Sequence, residues 1–491
     1  MISGLLRRVT SVGMWGGVCG VFSFFVASGN LAVGVAMLCL LLVYLILLTG
    51  PPFIASLWLI GSPTVFNFGN QFLKALPFIT LERLLFVLLA VAIFLRAAFV
   101  KTKSPGFSRL EVLILLFLGY VLVNMIVSTT ADTWRRDLWF FMQYAMPMLM
   151  FLLSRRIVWS ERGIKALLVA LTLTGVAVAG MGILQGLFGV SFFTQDYQTV
   201  THGHIHRAHG AFTSAETYIA ALFIFLILTL FQFATYRDGL VRFGLLVAMA
   251  LMAFGIVLGQ TRAPWIGAAL AILIIFARDR AVRPLVVTGG VLASIAGLVL
   301  FFMMLNHLGE LIDRLTDMYT VANRLALWAT ALNMIAHNAL FGIGFGADAF
   351  WIHKPEYITG IGDVSAQYAV DLGVPHNQYL HVASLLGIVG LCGFLLIMFG
   401  VGRSLFRIQK NPSSTPMQAH LAVYVGAIWS GLMFNSLFSD SYIQDYFWVT
   451  AYFLAGLVAG MRREPAPAPA PSDSSRPCPG ADYGSTASSF R

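Results

Sequence analysis

Apolar residues occupy most of this chain in long blocks, and the charged residues lie mainly between the blocks. Each block is about 20 residues long, the length at which an α-helix crosses the hydrocarbon core of a bilayer. The blocks lack the period-two alternation of apolar and polar residues that is typical of strands in a membrane β-barrel. This pattern predicts an all-α, polytopic integral membrane protein.

The positions of the blocks predict the individual transmembrane helices. They lie near residues 11–28, 31–49, 52–68, 79–100, 110–128, 136–153, 163–186, 214–235, 243–259, 263–277, 284–305, 379–402, 417–437 and 443–461. The first three are the weakest. The third is broken by Pro51, Pro52, Gly61 and Pro63, so it is also consistent with a re-entrant or interfacial segment. The sequence therefore predicts 12 to 14 transmembrane helices.

Composition and charge agree with a membrane protein and orient it. The chain is 58% hydrophobic and 11% charged, whereas a soluble domain has about 25% charged residues. Most Lys and Arg residues cluster on alternate connections, which the positive-inside rule assigns to the cytoplasm. Only nine fall on the other, outer side: Lys74, Arg83, Arg135, Arg136, Arg207, Arg262, Arg314, Arg324 and Lys354. Both termini are therefore predicted to be cytoplasmic, and the +10 net charge reflects topology and implies no nucleic-acid partner.

The chain divides into a membrane domain over residues 1–463 and a tail over 464–491. The tail is rich in Pro, Ala and Ser, a composition that predicts disorder. Two outer connections of the membrane domain are longer than a turn, a smaller one at about 187–213 and a large one at about 306–378. We expect almost all of the functional residues on this outer side.

The large outer loop is predicted to be partly helical. Asn323 is placed to cap a helix in which apolar residues recur at helical spacing as far as Ile335. A glycine-rich turn at 341–346 ends that helix.

Three outer arginines are candidates for binding an anion. Arg262 lies in a very short turn between two apolar helices, where a guanidinium usually faces a cavity or a partner, although it can also snorkel to lipid headgroups. Arg324 lies in the loop helix, and its alternative is a surface ion pair with Asp313 or Asp317. Arg207 lies in the smaller loop, where a solvated side chain is the simpler interpretation.

Two features of the histidines bear on chemistry. His376 lies where the large loop re-enters the membrane, and a neutral imidazole there can act as a general base near neutral pH, or serve only as a cap or interfacial group. His202, His204, His206 and His209 are spaced so that several imidazoles could converge on a metal. No cysteine or carboxylate completes such a set at close spacing, so we predict a metal-independent site without a cofactor.

Four local patterns together resemble the O-antigen ligase/polymerase superfamily of bacterial envelope glycan assembly. They are Thr261-Arg262-Ala263-Pro264-Trp265-Ile266-Gly267; Arg324-Leu325-x-x-Trp328-x-x-Ala331 leading into Gly342-x-Gly344-x-Gly346; Pro375-His376-Asn377-x-Tyr379-Leu380 followed by Gly387-x-x-Gly390; and, more loosely, Arg207-Ala208-His209-Gly210-Ala211-Phe212. The resemblance covers about residues 200–440, and family members resemble one another in having about twelve spans.

The resemblance implies a multi-pass enzyme of the bacterial inner membrane with a periplasmic active site. Such enzymes move a glycan from undecaprenyl diphosphate to an acceptor hydroxyl. Arg262 and Arg324 would bind the diphosphate, with Arg207 as a third clamp, because arginine pairs bidentately with phosphate oxygens. His376 would be the general base, which gives inversion at the anomeric carbon. The expected partners are the lipid-linked donor, membrane lipids, and either a lipid A-core or a growing glycan as acceptor.

Other functions remain open at this point. A ligase, a repeat-unit polymerase and an enzyme that glycosylates protein hydroxyls share the donor chemistry and differ in the acceptor, and the ligase is our first expectation. From a different class, a lipid-linked oligosaccharide flippase or transporter also has many spans and few soluble residues. Transporters often have two related halves with polar, broken helices at the bilayer midplane. Here the polar candidates lie on one side, which favours an enzyme.

Overall fold

The computed structural model describes residues 50–66, 80–99, 106–190, 207–212, 214–291, 318–358, 374–440 and 445–461. These residues form helices and connections, with no strand among them. The helices are α1 (Pro51–Gly61), α2 (Leu81–Phe99), α3 (Arg109–Ser128), α4 (Trp134–Ser154), α5 (Glu161–Phe188), α6 (Ala215–Thr235), α7 (Gly239–Leu258), α8 (Arg262–Arg278), α9 (Met318–His337), α10 (Ala349–Tyr357), α11 (Gln378–Lys410), α12 (Pro416–Asn435) and α13 (Asp445–Gly460).

Within the described ranges, six helices are long and apolar enough to cross a membrane, namely α3, α5, α6, α7, α11 and α12. Their bounds follow the predicted spans within four residues, except that α11 ends at Lys410, eight residues beyond the span predicted at 379–402. The prediction of an all-α, multi-pass membrane protein is therefore confirmed. The predicted spans at 11–28 and 31–49, most of the one at 284–305, and the tail at 464–491 lie outside the described residues, so the total number of spans stays a prediction.

Helix α6 lies at the centre of the bundle. It packs against α5, α7, α8, α12 and α13, and 89% of its most apolar 18-residue stretch is buried. Because antiparallel neighbours alternate in direction, α6, α8, α11 and α13 begin at one end of the bundle, where α3, α5, α7 and α12 finish. We call this the site end, and the other the opposite end.

Glycines allow two helix pairs to approach closely. At the crossing of α8 and α12, a Cβ on Gly267 would lie 2.6 Å from the carbonyl oxygen of Gly431, and a Cβ on Gly431 would lie 2.5 Å from that of Gly267. Gly456 and Gly460 of α13 make similar approaches to α4. Small residues of this kind are typical of helix interfaces in membranes, where close backbone packing replaces the hydrophobic drive of water.

A buried carboxylate stabilises the opposite end. Glu111 completes a capping box with Ser108 at the start of α3, and its side chain is fully buried. It forms ion pairs with Arg155 and Arg156, which follow α4. The pairing offsets the cost of burying the charge and joins α3 to the end of α4.

Helix α11 is broken at Gly387, a feature that the continuous span predicted at 379–402 did not include. Gly387 has φ 66° and ψ −169°, so the helix stops and restarts there. The glycine-rich turn docks into the break: the Ile343 N–H donates to the Ser384 carbonyl at 2.9 Å, and the Ile388 N–H donates to the Ala339 carbonyl at 2.8 Å. The turn thereby satisfies backbone groups that the break leaves without a helical partner.

One predicted detail of the large loop is wrong. Helix α9 begins at Met318, so Asn323 lies inside it and does not cap it. Cap preference is a local signal, and a helix can extend through an Asn when its neighbours are helical. The end of this helix and the glycine-rich turn after it are as predicted, and α10 adds a second helix to the loop. Residues 306–317 and 359–373 of the loop lie outside the described residues.

Candidate functional site

The starts of α6, α8 and α11 and the end of α12 meet at the site end. Ser214 caps α6 by accepting a hydrogen bond from the Thr217 N–H at 3.1 Å. Asn377 caps α11 by accepting from the N–H groups of Tyr379 and Leu380 at 3.0 and 3.1 Å. These caps fix the residues immediately before each helix, and His376 is one of them.

His376 is held in a backbone conformation that is uncommon for a non-glycine residue, with φ 49°. The segment around it is fixed from two sides. The indole N–H of Trp328 in α9 donates to the Pro375 carbonyl at 2.9 Å. The Gln378 N–H lies between the carbonyls of Ser436 and Ser439, at 2.9 and 3.1 Å. Strain of this kind, maintained by surrounding contacts, is often found at functional sites.

Two arginines from different parts of the chain meet near the start of α6. Arg324 is half-buried and interacts electrostatically with Glu216 and with Arg262. Glu216 also accepts a hydrogen bond from the side-chain amide of Asn435 at 3.3 Å. Burial lowers the pKa of Arg324, and the carboxylate opposes that effect while Arg262 adds to it. This part of the site therefore contains two guanidinium groups balanced in part by the Glu216 carboxylate.

A buried histidine–aspartate pair lies behind His376. The Nδ1 of His381 is 2.8 Å from Oδ1 of Asp440, and their side chains are 1% and 4% exposed. Because a carboxylate only accepts, the imidazole donates this hydrogen bond. The His381 ring lies between Phe140 and Phe350, with centroid distances of 5.9 Å to each.

Burial, followed by the neighbouring charges, sets the direction of the pKa shift of His376. Burial lowers its pKa, the Asp440 carboxylate acts in the opposite direction, and Arg324 and His381 lower it further. The net effect is a pKa below the ordinary value of histidine, which is about 6.5. The imidazole is therefore mainly neutral at pH 7, the form that accepts a proton.

Arg207 and His209 lie in the short described part of the smaller loop. The Ala208 N–H donates to the Leu258 carbonyl at 3.2 Å, which places the loop beside the end of α7, and Arg207 itself is exposed. Both ring nitrogens of His209 are engaged, Nδ1 with the Phe212 carbonyl at 2.8 Å and Nε2 with the side-chain amide of Gln185 at 2.7 Å. This histidine has no nitrogen left for a metal.

The metal interpretation gains no support from the part of the chain that is described. No group of three or more His, Cys, Asp or Glu side chains suited to a metal ion occurs there. His202, His204 and His206 lie outside the described residues.

A long apolar groove runs from the site end to the opposite end between α8, α11 and α12. Its cavity volume is about 950 Å³. Tyr379 and Leu437 line it near the site, Met398 and Trp429 lie near its middle, and Arg278 lies at the other end. Its dimensions and apolar walls suit a flexible hydrocarbon chain.

The structure brings three of the predicted site residues together, namely Arg262, Arg324 and His376. It adds three side chains that were not singled out as site residues: His381, Asp440 and Asn435. His381 and Asp440 lie 59 positions apart, so no local sequence pattern predicts their pairing.

The fold and this cluster define a class: a multi-pass helical membrane protein with a polar, arginine- and histidine-containing site at one end of its bundle. Residues 247–395 match the family model described as O-antigen ligase. The match includes Arg262, Arg324 and His376, and the predicted resemblance to the O-antigen ligase/polymerase superfamily is thereby confirmed. No curated protein sequence matches the chain. The family implies membrane glycosyltransferase or ligase activity on lipid-linked glycans.

Proposed function

We propose that this protein transfers a glycan from undecaprenyl diphosphate to an acceptor hydroxyl, as an O-antigen ligase-like, metal-independent, inverting enzyme. The observation that carries the proposal is the arrangement of two arginines beside a half-buried histidine whose pKa is lowered. Such a site combines fixed positive charge for a leaving diphosphate with a neutral base for a hydroxyl group.

Arg262 and Arg324 would bind the diphosphate. A guanidinium can donate two parallel hydrogen bonds to phosphate oxygens, which a point charge cannot do. Negative charge accumulates on the diphosphate as the anomeric C–O bond breaks, so fixed donors stabilise the transition state more than the ground state. Arg207 is a third candidate for this role, because its loop lies beside the end of α7, four residues before Arg262.

His376 would act as the general base. The acceptor hydroxyl transfers its proton to the neutral imidazole while its oxygen attacks the anomeric carbon. The C–O bond to the diphosphate breaks, and the diphosphate leaves with the electron pair. Attack opposite the leaving group inverts the anomeric configuration. The products are the glycosylated acceptor, undecaprenyl diphosphate and a protonated His376.

The groove between α8, α11 and α12 would hold the polyprenyl chain of the donor. Tyr379, three residues after His376, lines this groove, so a lipid in the groove would place its head group at the site. We place the protein in the bacterial inner membrane with the site end in the periplasm and both termini in the cytoplasm, following the distribution of Lys and Arg. A lipid A-core is the proposed acceptor, and a growing glycan is the alternative.

Transfer by purified protein in nanodiscs tests this proposal. Undecaprenyl-diphosphate-linked glycan is supplied with lipid A-core or with repeat-unit acceptor, and products are resolved by gel and mass spectrometry. We expect product on lipid A-core, retained in EDTA. His376→Ala lowers the rate by about 10²–10⁴-fold, the usual contribution of a general base. Arg324→Gln lowers it by about 10²–10³-fold, and Arg324→Lys by less.

Arg136→Gln is the matched control. Arg136 is an exposed arginine at the same end, paired with Asp348 rather than with the site, so its loss leaves the rate unchanged. A repeat-unit ladder would instead identify a polymerase. Full activity of His376→Ala would contradict the assignment of the base, and absence of product from well-folded protein with either acceptor would favour transport or protein glycosylation.

A further inference from the structure

Asp440 has an unusual environment for a residue that the proposed mechanism does not use. It is 5% exposed, and only one of its carboxylate oxygens, Oδ1, has a hydrogen-bond partner. Oδ2 is buried and has no partner among the described residues. A buried carboxylate that is only half satisfied is costly, so a compensating role for its charge is expected.

The surroundings hold this carboxylate in place. His381 donates to Oδ1 at 2.8 Å, and its ring is enclosed by Phe140 and Phe350. Asp440 follows directly after Ser439, whose carbonyl accepts from the Gln378 N–H at 3.1 Å. The segment after α12, residues 436–440, is therefore tied to the segment that contains His376, and the Asp440 charge acts on that imidazole.

We propose that Asp440, oriented by His381, is a positioning residue that stabilises the protonated form of His376 after the imidazole has taken the proton of the acceptor. The catalytic meaning of this role rests on the proposed function, whereas the electrostatic coupling of the two residues does not. Asp440 and His381 both lie outside helix α9 of the large loop. Asp440 also lies outside the residues that match the family model.

The groups that face this arrangement set the direction of the expected effect. His376 experiences Asp440 after α12, Arg324 in α9 and His381 in α11. Asp440 in turn faces Glu216 in α6 and Tyr144 in α4. Asp440 is the negative charge among the groups that act on His376, so its neutralisation makes the imidazole harder to protonate.

Carbethoxylation of His376 by diethyl pyrocarbonate measures this effect without any substrate. The reagent reacts with the neutral form of an imidazole and not with the protonated form. Mass spectrometry measures the modification rate of the peptide that contains His376 at each pH, and the pH dependence of this rate gives a titration midpoint. We expect Asp440→Asn to move this midpoint down by about one pH unit, the lower range for a neighbouring charge. Asp440→Glu keeps the charge and restores most of the wild-type midpoint. His381→Gln keeps the carboxylate and does not lower the midpoint.

Asp137→Asn is the matched control, because Asp137 is also a buried aspartate at the site end but binds the Ala347 N–H instead. In Asp137→Asn, the titration midpoint of His376 is expected to stay at the wild-type value. An unchanged midpoint in folded Asp440→Asn, or an equal shift in Asp137→Asn, overturns the proposal. If Asp440→Asn does not fold, Asp440→Ser provides the same measurement.

The proposed transferase function and the proposed role of Asp440 can be contradicted independently of each other. In the transfer assay, Asp440→Asn is expected to lower kcat by up to about tenfold with KM unchanged, because a general base loses at most a factor of ten in rate for each unit by which its pKa falls. A shifted midpoint with no transfer by the wild type would leave the coupling in place and remove the proposed function. Transfer by the wild type with no shift in Asp440→Asn would remove only the role of Asp440.

Discussion

Two glycines join the glycine-rich turn to the break in α11. A Cβ on Gly342 would lie 2.3 Å from the carbonyl carbon of Leu385, and a Cβ on Gly387 would lie 2.2 Å from the carbonyl oxygen of Leu340. Both glycines also have positive φ, at 74° and 66°. A side chain is therefore excluded at each position for two reasons. The backbone conformation is strained for any residue other than glycine, and a Cβ would collide with neighbouring backbone that cannot rotate away.

We predict that Gly342→Ala and Gly387→Ala each destabilise the protein by more than about 1–3 kcal/mol, the cost of a strained non-glycine backbone alone. Thermal unfolding in detergent measures the loss. Gly189→Ala is the control, because Gly189 has φ 67° but nothing within 4 Å of its Cβ position, so only the strain applies. Equal losses at all three positions would show that the contact with the turn contributes nothing.

At the scale of whole helices, the crossing of α8 and α12 connects packing to the site. Helix α8 begins with Arg262, and α12 ends at Asn435, which binds Glu216. The two helices are in backbone contact through Gly267 and Gly431. Any increase in their separation therefore moves groups on both sides of the site.

Gly431→Ala is predicted to destabilise the protein by about 1–3 kcal/mol, the usual cost of overpacking. It should also lower the transfer rate, since the added methyl group meets the Gly267 carbonyl and pushes α8 outward. Scanning fluorimetry and the transfer assay measure the two effects. Gly426→Ala on the same helix is the control, because its nearest neighbour is 4.0 Å away, and it should have wild-type stability. A Gly431→Ala protein with normal stability would argue against a tight crossing.

For the molecule as a whole, the proposed orientation in the membrane is open to a direct test. Ala131 lies in an exposed turn at the site end, and Ser413 lies in an exposed turn at the opposite end. In a variant without the four native cysteines, we expect Ala131→Cys to react with a membrane-impermeant maleimide in cells with a permeabilised outer membrane. Ser413→Cys should react only after the inner membrane is lysed. The reverse labelling would place the site in the cytoplasm and contradict a periplasmic transferase.

Much of the fold was predictable because spanning a membrane is a property of consecutive residues. A backbone in lipid must satisfy its own hydrogen bonds, so an apolar block such as 214–235 can only become a helix, here Ala215–Thr235. The break at Gly387 was not predictable in this way. Its cause is the docking of residues 339–344, and nothing in the local sequence distinguishes Gly387 from Gly390 three positions later.

The sequence by itself determined the class of the protein, the run of its described spans and four candidate residues, among them Arg262, Arg324 and His376, because basic residues are scarce on the outer side and motif spacing is local. Only the tertiary structure brought these three together, and only it showed that Glu216, Asn435 and the His381–Asp440 pair surround them. Their interactions join residues between 59 and 219 positions apart. Electrostatic and hydrogen-bond energies depend on distance in space, and the packing of α6, α8, α11 and α12 sets those distances.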